Sequence, residues 1–595
     1  MKQNRIKTFL KLFNQGFGQY KFQIAILVVL GFLTGLLEAV GINAIIPLFS
    51  FIAQGQETGT DIISRAIRWF FEFVHLPFNL PYLLGFIIGM FLLKGLAKIV
   101  FNAIQIKIIA DFEKRTSAEL YQKTMQARWP YLLRQKIGYL AAILQNDIGQ
   151  NTYLLKYISQ IILLATGLIM YTFVAINISP VITFSAFALG GLMFLLMKRF
   201  VYKTRLVSQA YANLNKEISH FINEHMLGIK TIKAMNSEKP IVAKGFDYFE
   251  RMKNLRVRNF YLQNTTTELI APVGMIFIAL AFAYTYKTPG FNLASFAVII
   301  YMIEKIFAYL QNAQMKMHNI NEFIPYLKSV VEYKNSAIQG LEEDSGRRQF
   351  KFARELAVSN LEFAYGEEKI LDKINFVLRK GEMVGLIGPS GAGKTTLVDI
   401  LLRLFEPQNG EILLDAVNIK EISLKEWRRH IGYVSQDIFL MNDTIENNIR
   451  FYDSFISKKQ IEAAAKMANI YQFIKEQPKR FETSVGERGL LLSAGQRQRI
   501  ILARVLARNP QILILDEATS SLDNESEVAI QKAIEDLKGK TTVLVIAHRL
   551  STIINVDNLL VLEDGKISEQ GPPQNLLADQ NSYFFKVYNI RENAQ

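Results

Sequence analysis

The chain has 595 residues, half of them hydrophobic and a fifth charged, with a formal charge of +15 and no cysteine. That length calls for two or more domains, and the lack of cysteine excludes disulfides, thiolate-held metal and a thiol nucleophile. The basic excess does not read as nucleic-acid binding, because lysine and arginine are scattered along apolar segments without an aromatic–basic platform; it reads as attraction to anionic lipid and a positive-inside bias.

From the N-terminus onward, six stretches have the ~20 apolar residues needed to cross a ~30 Å hydrocarbon core. They are Phe22–Phe51, Pro81–Ile109, Thr152–Ile176, Pro180–Phe200, Leu269–Tyr286 and Phe291–Leu310. The first twenty residues are basic and amphipathic, with no small-residue cleavage site. Lys2, Arg5, Lys7, Lys11 and Lys21 precede the first span and predict a cytoplasmic N-terminus. Alternation then puts loops 52–80, 177–179 and 287–290 outside, and the long basic loops 110–151 and 201–265 inside. The segment after the sixth span falls in the cytoplasm, and the absent disulfides agree with a bacterial cytoplasmic membrane. Within the first outer loop, Trp69, Phe70, Phe71 and Phe73 predict a helix lying either on the outer leaflet or against neighbouring helix ends.

Charges inside a span are expensive and mark a site or a pair. At about 1.5 Å per residue, Glu38, Lys94, Glu304 and Lys305 all lie roughly 18–21 Å below the outer boundary. Two readings stand: ion pairs holding the bundle, or a substrate chamber in which Lys94, Lys98 or Lys305 meets a phosphate. Residues 333–350 are polar with two glycines and read as a linker between a membrane domain, 1–332, and an α/β domain, 351–595.

In that second domain the run Gly388-Pro389-Ser390-Gly391-Ala392-Gly393-Lys394-Thr395-Thr396 follows a strand-like Met383–Ile387 and opens a helix. This is a phosphate loop: glycines let backbone N–H groups converge on a triphosphate, Lys394 meets the β- and γ-phosphates, and Thr395 holds Mg²⁺. The apolar strand Ile512–Leu515 ends in Asp516 and Glu517, a water-mediated Mg²⁺ ligand and a group that polarises the attacking water. Leu492-Ser493-Ala494-Gly495-Gln496 precedes another helix, so its N–H groups point at an anion.

With that last string the whole chain resembles the ATP-binding cassette (ABC) transporters, in the exporter-type half-transporter arrangement. The resemblance implies an α-helical six-span membrane domain followed by an α/β P-loop nucleotide domain. It also implies a homodimer (or a heterodimer) in which Ser493, Gly495 and Gln496 of one copy complete the ATP site of the other, while Ala494 departs from the family's usual glycine. It places Tyr365 on adenine, Gln436 between Mg²⁺ and the membrane-facing surface, Asp523 at the interface and His548 as the switch that senses the γ-phosphate. Residues 126–138 and 228–238 fall at its coupling segments, and Thr483–Gly489 at the run that links signature to membrane loops. A shorter likeness, Leu36–Ile42 running to Pro47-Leu48, resembles exporters of lipid-linked saccharides and other glycolipids. The expected function is ATP-driven export or flipping of an amphiphile, first a lipid-linked saccharide, with drug-like or peptide cargo as alternatives and an ATP-gated channel as a remote one. Expected partners are membrane lipid, the amphiphilic substrate and a second copy, with no nucleic acid.

Overall fold

Long runs without charge leave the helix as the one open structure that satisfies every peptide group in lipid. A computed structural model describes residues 13–44, 48, 62–286, 293–516, 524–546 and 553–592. The chain divides into two compact units, Met1–Leu341 and Glu342–Gln595.

The first unit is built from α1 (Lys21–Asn43), α2 (Ile62–Phe73), α3 (Leu80–Met125), α4 (Trp129–Leu133), α5 (Ile137–Ala142), α6 (Ile148–Ile178), α7 (Pro180–Leu227), α8 (Ile229–Ala234), α9 (Glu238–Glu268), α10 (Ile270–Thr285) and α11 (Leu293–Gln339). Five helical stretches among the described residues are long and apolar enough to cross a membrane, Phe13–Ile42, Leu80–Met125, Gly138–Asn177, Pro180–Leu227 and Glu238–Thr285. The sixth expected span falls on α11, whose apolar stretch carries Glu304 and Lys305. Helix α1 ends at Asn43, and most of the remainder of the expected first span, up to Phe51, lies outside the described residues. The inner segments 110–151 and 201–265 are largely helix, because Glu, Lys and Gln extend α3 and α7 without a breaker and α9 carries Pro240 in its first turn, where a helix tolerates it.

Glycine permits close helix contact here, as it does where lipid supplies no hydrophobic drive. A Cβ on Gly35 would lie 3.3 Å from the Thr166 carbonyl oxygen, and one on Gly167 would strike the Tyr309 ring. Phe17, Phe112, Leu154 and Leu327 form one apolar cluster. Fully buried His318 on α11 joins three helices: its Nδ1 lies 2.8 Å from Thr204 Oγ1 on α7, and its Nε2 lies 2.7 Å from Thr266 Oγ1 on α9. Helix α4 is tied to the end of α11, with the Arg128 N–H donating to the Gly340 carbonyl at 2.8 Å and Tyr131 Oη 2.9 Å from Ser336 Oγ. Helix α2 packs Ile67 and Phe71 against Ala44 and Leu83 while Trp69 and Phe73 stay exposed, so it packs on its neighbours and also offers an aromatic face outward.

Of the polar segment expected as a linker, residues 333–339 continue α11. Residues 342–350 are held to the second unit. Arg428 makes a two-pronged contact with Glu342 at 2.7 and 2.6 Å, and Asp344 accepts the Leu424 N–H at 3.0 Å.

The second unit has two sheets. An antiparallel sheet orders β2 (Glu368–Arg379), β1 (Glu355–Tyr365), β4 (Asn409–Leu414) and β5 (Val417–Asn418). The larger sheet runs β10 (Lys566–Gly571), β9 (Asn558–Glu563), β3 (Met383–Ile387), β8 (Thr542–Ile546), β7 (Ile512–Asp516) and β6 (Ile431–Val434), parallel except at β10. Every residue of β3, β7 and β8 is buried, as expected of strands covered on both faces. Fully buried Trp427 anchors α13 (Leu424–His430) by donating its indole N–H to the Leu401 carbonyl at 2.8 Å.

Candidate functional site

The loop 388–393 leaves buried β3 and enters α12 (Lys394–Leu401). Gly388, Gly391 and Gly393 have φ of +151°, +84° and +102°, a backbone that L side chains rarely adopt, and a Cβ on Gly388 would collide with the Leu562 carbonyl oxygen. Such a turn aims successive N–H groups into one concavity, a phosphate cradle. Lys394 is largely buried, and its Nζ donates to the Gly388 and Pro389 carbonyls at 2.9 Å each, arching back over the loop. Thr395 is exposed beside it, and Ala392 and Thr396 pack inward. Pro389, Ser390 and Gly391 form the rim of the turn.

Asp516 ends β7, and Tyr433 on neighbouring β6 donates to Asp516 Oδ2 at 3.4 Å. Asp399 on α12 was not singled out from the sequence. Burial, and then the charge of Asp516, push its carboxyl up from 3.8 to about 6. Burial and the same carboxylate push the Tyr433 phenol well above its ordinary value. The two acids thus share one field, and positive charge placed beside them would relieve their repulsion. Among these donors, Asp516, Thr395 and Gln436 are oxygen-bearing and hard, the set Mg²⁺ takes. Gln436 is exposed just past β6.

Tyr365 closes β1 half-exposed, its ring edge-on to Phe363 at 4.9 Å and Phe405 at 5.4 Å. Those contacts hold the ring in place while nearly half of the residue stays exposed, as stacking of a flat ligand requires. Ser493 caps α14 (Ala494–Leu506): its Oγ accepts the Gln496 N–H at 3.2 Å, and Gln496 Oε1 accepts the Ser493 N–H at 2.9 Å. Gln496 is thereby spent on the reciprocal cap, Gly495 is buried within the first turn, and Ala494 is accommodated as its first residue. Glu517, Asp523 and His548 lie outside the described residues.

Of the intramembrane charges, Glu38 and Lys94 form an ion pair at 2.6 Å, with Tyr309 Oη donating to Glu38 Oε2 at 3.2 Å. Glu304 and Lys305 lie 3.5 Å apart, and Lys305 also sits over the Tyr301 ring at 5.1 Å. Lys98 is exposed.

Comparison with known proteins agrees with this geometry. Residues 371–520 match the family described as ABC transporter, and residues 5–314 match the ABC transporter transmembrane region. The chain is 32% identical over 519 residues, 84% of each chain, to an ATP-dependent lipid A-core flippase of Syntrophus aciditrophicus. It is 32% identical over 504 residues, 81% of this chain and 79% of the other, to the heterocyst differentiation ATP-binding protein HepA of Nostoc sp.. A solved bacterial Atm1-family ABC exporter with ATP bound shares the fold at a TM-score of 0.78 and 23% identity, over 97% of this chain and 99% of that one. The chain is a member of the ABC transporter family, an ATPase of exporter fold coupled to transport across a membrane.

Proposed function

We propose that this chain flips a lipid-linked saccharide or related glycolipid across a bacterial cytoplasmic membrane, as a homodimer of six spans per copy with both termini in the cytoplasm. One observation carries the cargo: the 84% of the chain aligned to a protein named a lipid A-core flippase includes most of the membrane helices. The intact set of nucleotide residues carries the engine. In this reading the spans lie in 1–332 and the engine in 351–595, joined through 333–350, whose first residues continue α11.

In this reading the cradle N–H groups and Lys394 bind the β- and γ-phosphates, and Tyr365 stacks on adenine. Thr395, Gln436 and Asp516 hold Mg²⁺, which compensates phosphate charge when bound. Glu517 orients water, and His548 senses the γ-phosphate. Ser493 and Gly495 of the second copy close over the same phosphates, with Asp523 at the seam. ATP prefers the closed pair, so binding shifts the bundle outward and hydrolysis releases it. Helices α4 and α8 receive that movement, α4 through its bonds to the end of α11. Among the charges, the Glu38–Lys94 pair holds the bundle, whereas Lys98, Glu304 and Lys305 remain for a polar head group.

The test is ATP-dependent movement of a fluorescent polyprenyl-diphosphate-linked saccharide in proteoliposomes. Wild type is expected to move it, and Glu517→Gln to bind ATP without moving it. Transport of a drug-like cation or a peptide in place of the glycolipid would replace the cargo. A chain that hydrolyses ATP strictly as a monomer would remove the shared site.

A further inference from the structure

A basic cleft of about 530 Å³ lies in the first unit, between the helical run that leads into α1 from Phe13, the later turns of α3 and the last turns of α11. Its charged wall is Lys21, Arg115, Lys334 and Glu119; Asn14, Gln15, Gln19, Thr116 and two glycines complete it. The wall is held from behind. Phe17 is fully buried with its ring 4.7 Å from that of Phe112 on α3, and Tyr20 donates its hydroxyl to Asp111 Oδ2 at 3.0 Å. A Cβ on Gly16 would come within 2.9 Å of Leu327 Cδ1, so the lead-in run lies against α11 as closely as glycine allows. Arg115 is held at its Nε by the same Asp111 oxygen at 2.8 Å, yet its side chain stays 64% exposed. Lys21 is also exposed, with no ion-pair partner among the described residues.

The charge of the cleft selects its ligand. Glu119 is already neutralised: its Oε1 meets Lys123 Nζ and its Oε2 meets Lys334 Nζ, each at 2.7 Å. With these partners counted, Lys21, Arg115, Lys123 and Lys334 face Asp111 and Glu119, four cations against two acids. A surplus of two positive charges suits a phosphate, for which guanidinium and ammonium groups are the usual donors. A metal cation would be repelled. A planar base or an acyl chain would need an aromatic or branched aliphatic wall, and no such side chain lines the cleft. Depth then names the source of the phosphate. Lys21 directly precedes the expected first span, and Arg115 lies six residues, about 9 Å, past the expected end of the second at Ile109. The head-group layer adds about 5–7 Å to each face of the hydrocarbon core, so these two cations bracket it. Basic pockets between helices at a membrane face bind anionic head groups.

We propose that this cleft holds the phosphate of an anionic phospholipid from the leaflet that borders Lys21, bound as a resident lipid and not as cargo. The assignment is independent of what the protein transports. Lys334 sits five residues before α11 ends, so one head group ties the entry of the first span to the helix whose chain continues into the nucleotide unit. Full-length protein in neutral detergent is titrated with phosphatidylglycerol, phosphatidylcholine or inorganic phosphate, and bound molecules are counted by native mass spectrometry. Wild type is expected to hold one phosphatidylglycerol per chain roughly tenfold or more tighter than phosphatidylcholine, as one or two charge-assisted hydrogen bonds supply. Lys21→Gln/Arg115→Gln is expected to lose that preference, with phosphatidylcholine binding unchanged. Weakening of both lipids alike, as a damaged fold would give, or of neither, would overturn the site. So would an equal loss in Lys107→Gln/Lys114→Gln, which removes two exposed cations of α3 that lie outside the cleft. Displacement of phosphatidylglycerol by inorganic phosphate would give the cleft to a soluble ion and overturn the lipid.

Discussion

Replacing Lys94 by Met tests whether the charges in the bundle hold the fold. Lys94 Nζ and Glu38 Oε1 are 2.6 Å apart, with side chains 24% and 15% exposed. At an effective dielectric near 20 their attraction is about 6 kcal/mol. Desolvation of both groups offsets most of that, leaving a coupling of about 2–3 kcal/mol. Lys94→Met leaves Glu38 with the Tyr309 hydroxyl, one neutral donor against a buried negative charge. The expected loss is about 3 kcal/mol, roughly a 5 °C fall in Tm for a unit of this size. Glu38→Gln is expected to lose less, because Lys94 retains the Phe91 ring at 5.7 Å. The double variant Glu38→Gln/Lys94→Met is expected to recover to within about 1 kcal/mol of wild type. Thermal unfolding of all four forms in one detergent closes the cycle. Additive losses, or a Lys94→Met protein as stable as wild type, would refute the structural pair and return Lys94 to the substrate chamber.

Three further outcomes concern the nucleotide unit. Asp399 is raised in the folded state from 3.8 to about 6, so wild-type stability is expected to fall as pH rises through that interval and stay reduced above it. Asp399→Asn then matches wild type near the lower end and exceeds it by about 1–2 kcal/mol at pH 7.5 without nucleotide, the figure being halved for partial exposure; a pH-independent difference in Tm would refute it. Gly388→Ala places a Cβ against the Leu562 carbonyl oxygen at φ +151°, so affinity for a fluorescent ATP analogue is expected to fall more than tenfold, and unchanged affinity would contradict the cradle. Buried Arg504 donates to the Asn448 and Phe439 carbonyls at 2.8 and 2.9 Å and stacks over Phe451 at 4.4 Å. Arg504→Met orphans both carbonyls and is expected to cost about 2–4 kcal/mol in thermal unfolding, a change under about 0.5 kcal/mol counting against it.

What could be read in advance follows from how far each property depends on residues close in sequence. Spans announce themselves because hydrophobic length is a local sum, and the phosphate loop because strand, glycines, Lys394 and helix are contiguous. The common depth of Glu38 and Lys94 is likewise a local count, but whether they touch depends on the rotation of α1 against α3, which no run of letters encodes. Asp399 was silent for the same reason: an acid one turn into α12 looks like a solvated one until sheet order brings Asp516 near it. The end of α11 erred in the opposite direction, since polar letters at 333–339 suggested a linker where packing sustains helix, with Tyr333 and Ala337 buried. Legibility in this chain divides along that line: the nucleotide site is written in contiguous motifs, whereas contacts such as Glu38 with Lys94, or His318 with Thr204 and Thr266, exist only once separate helices meet.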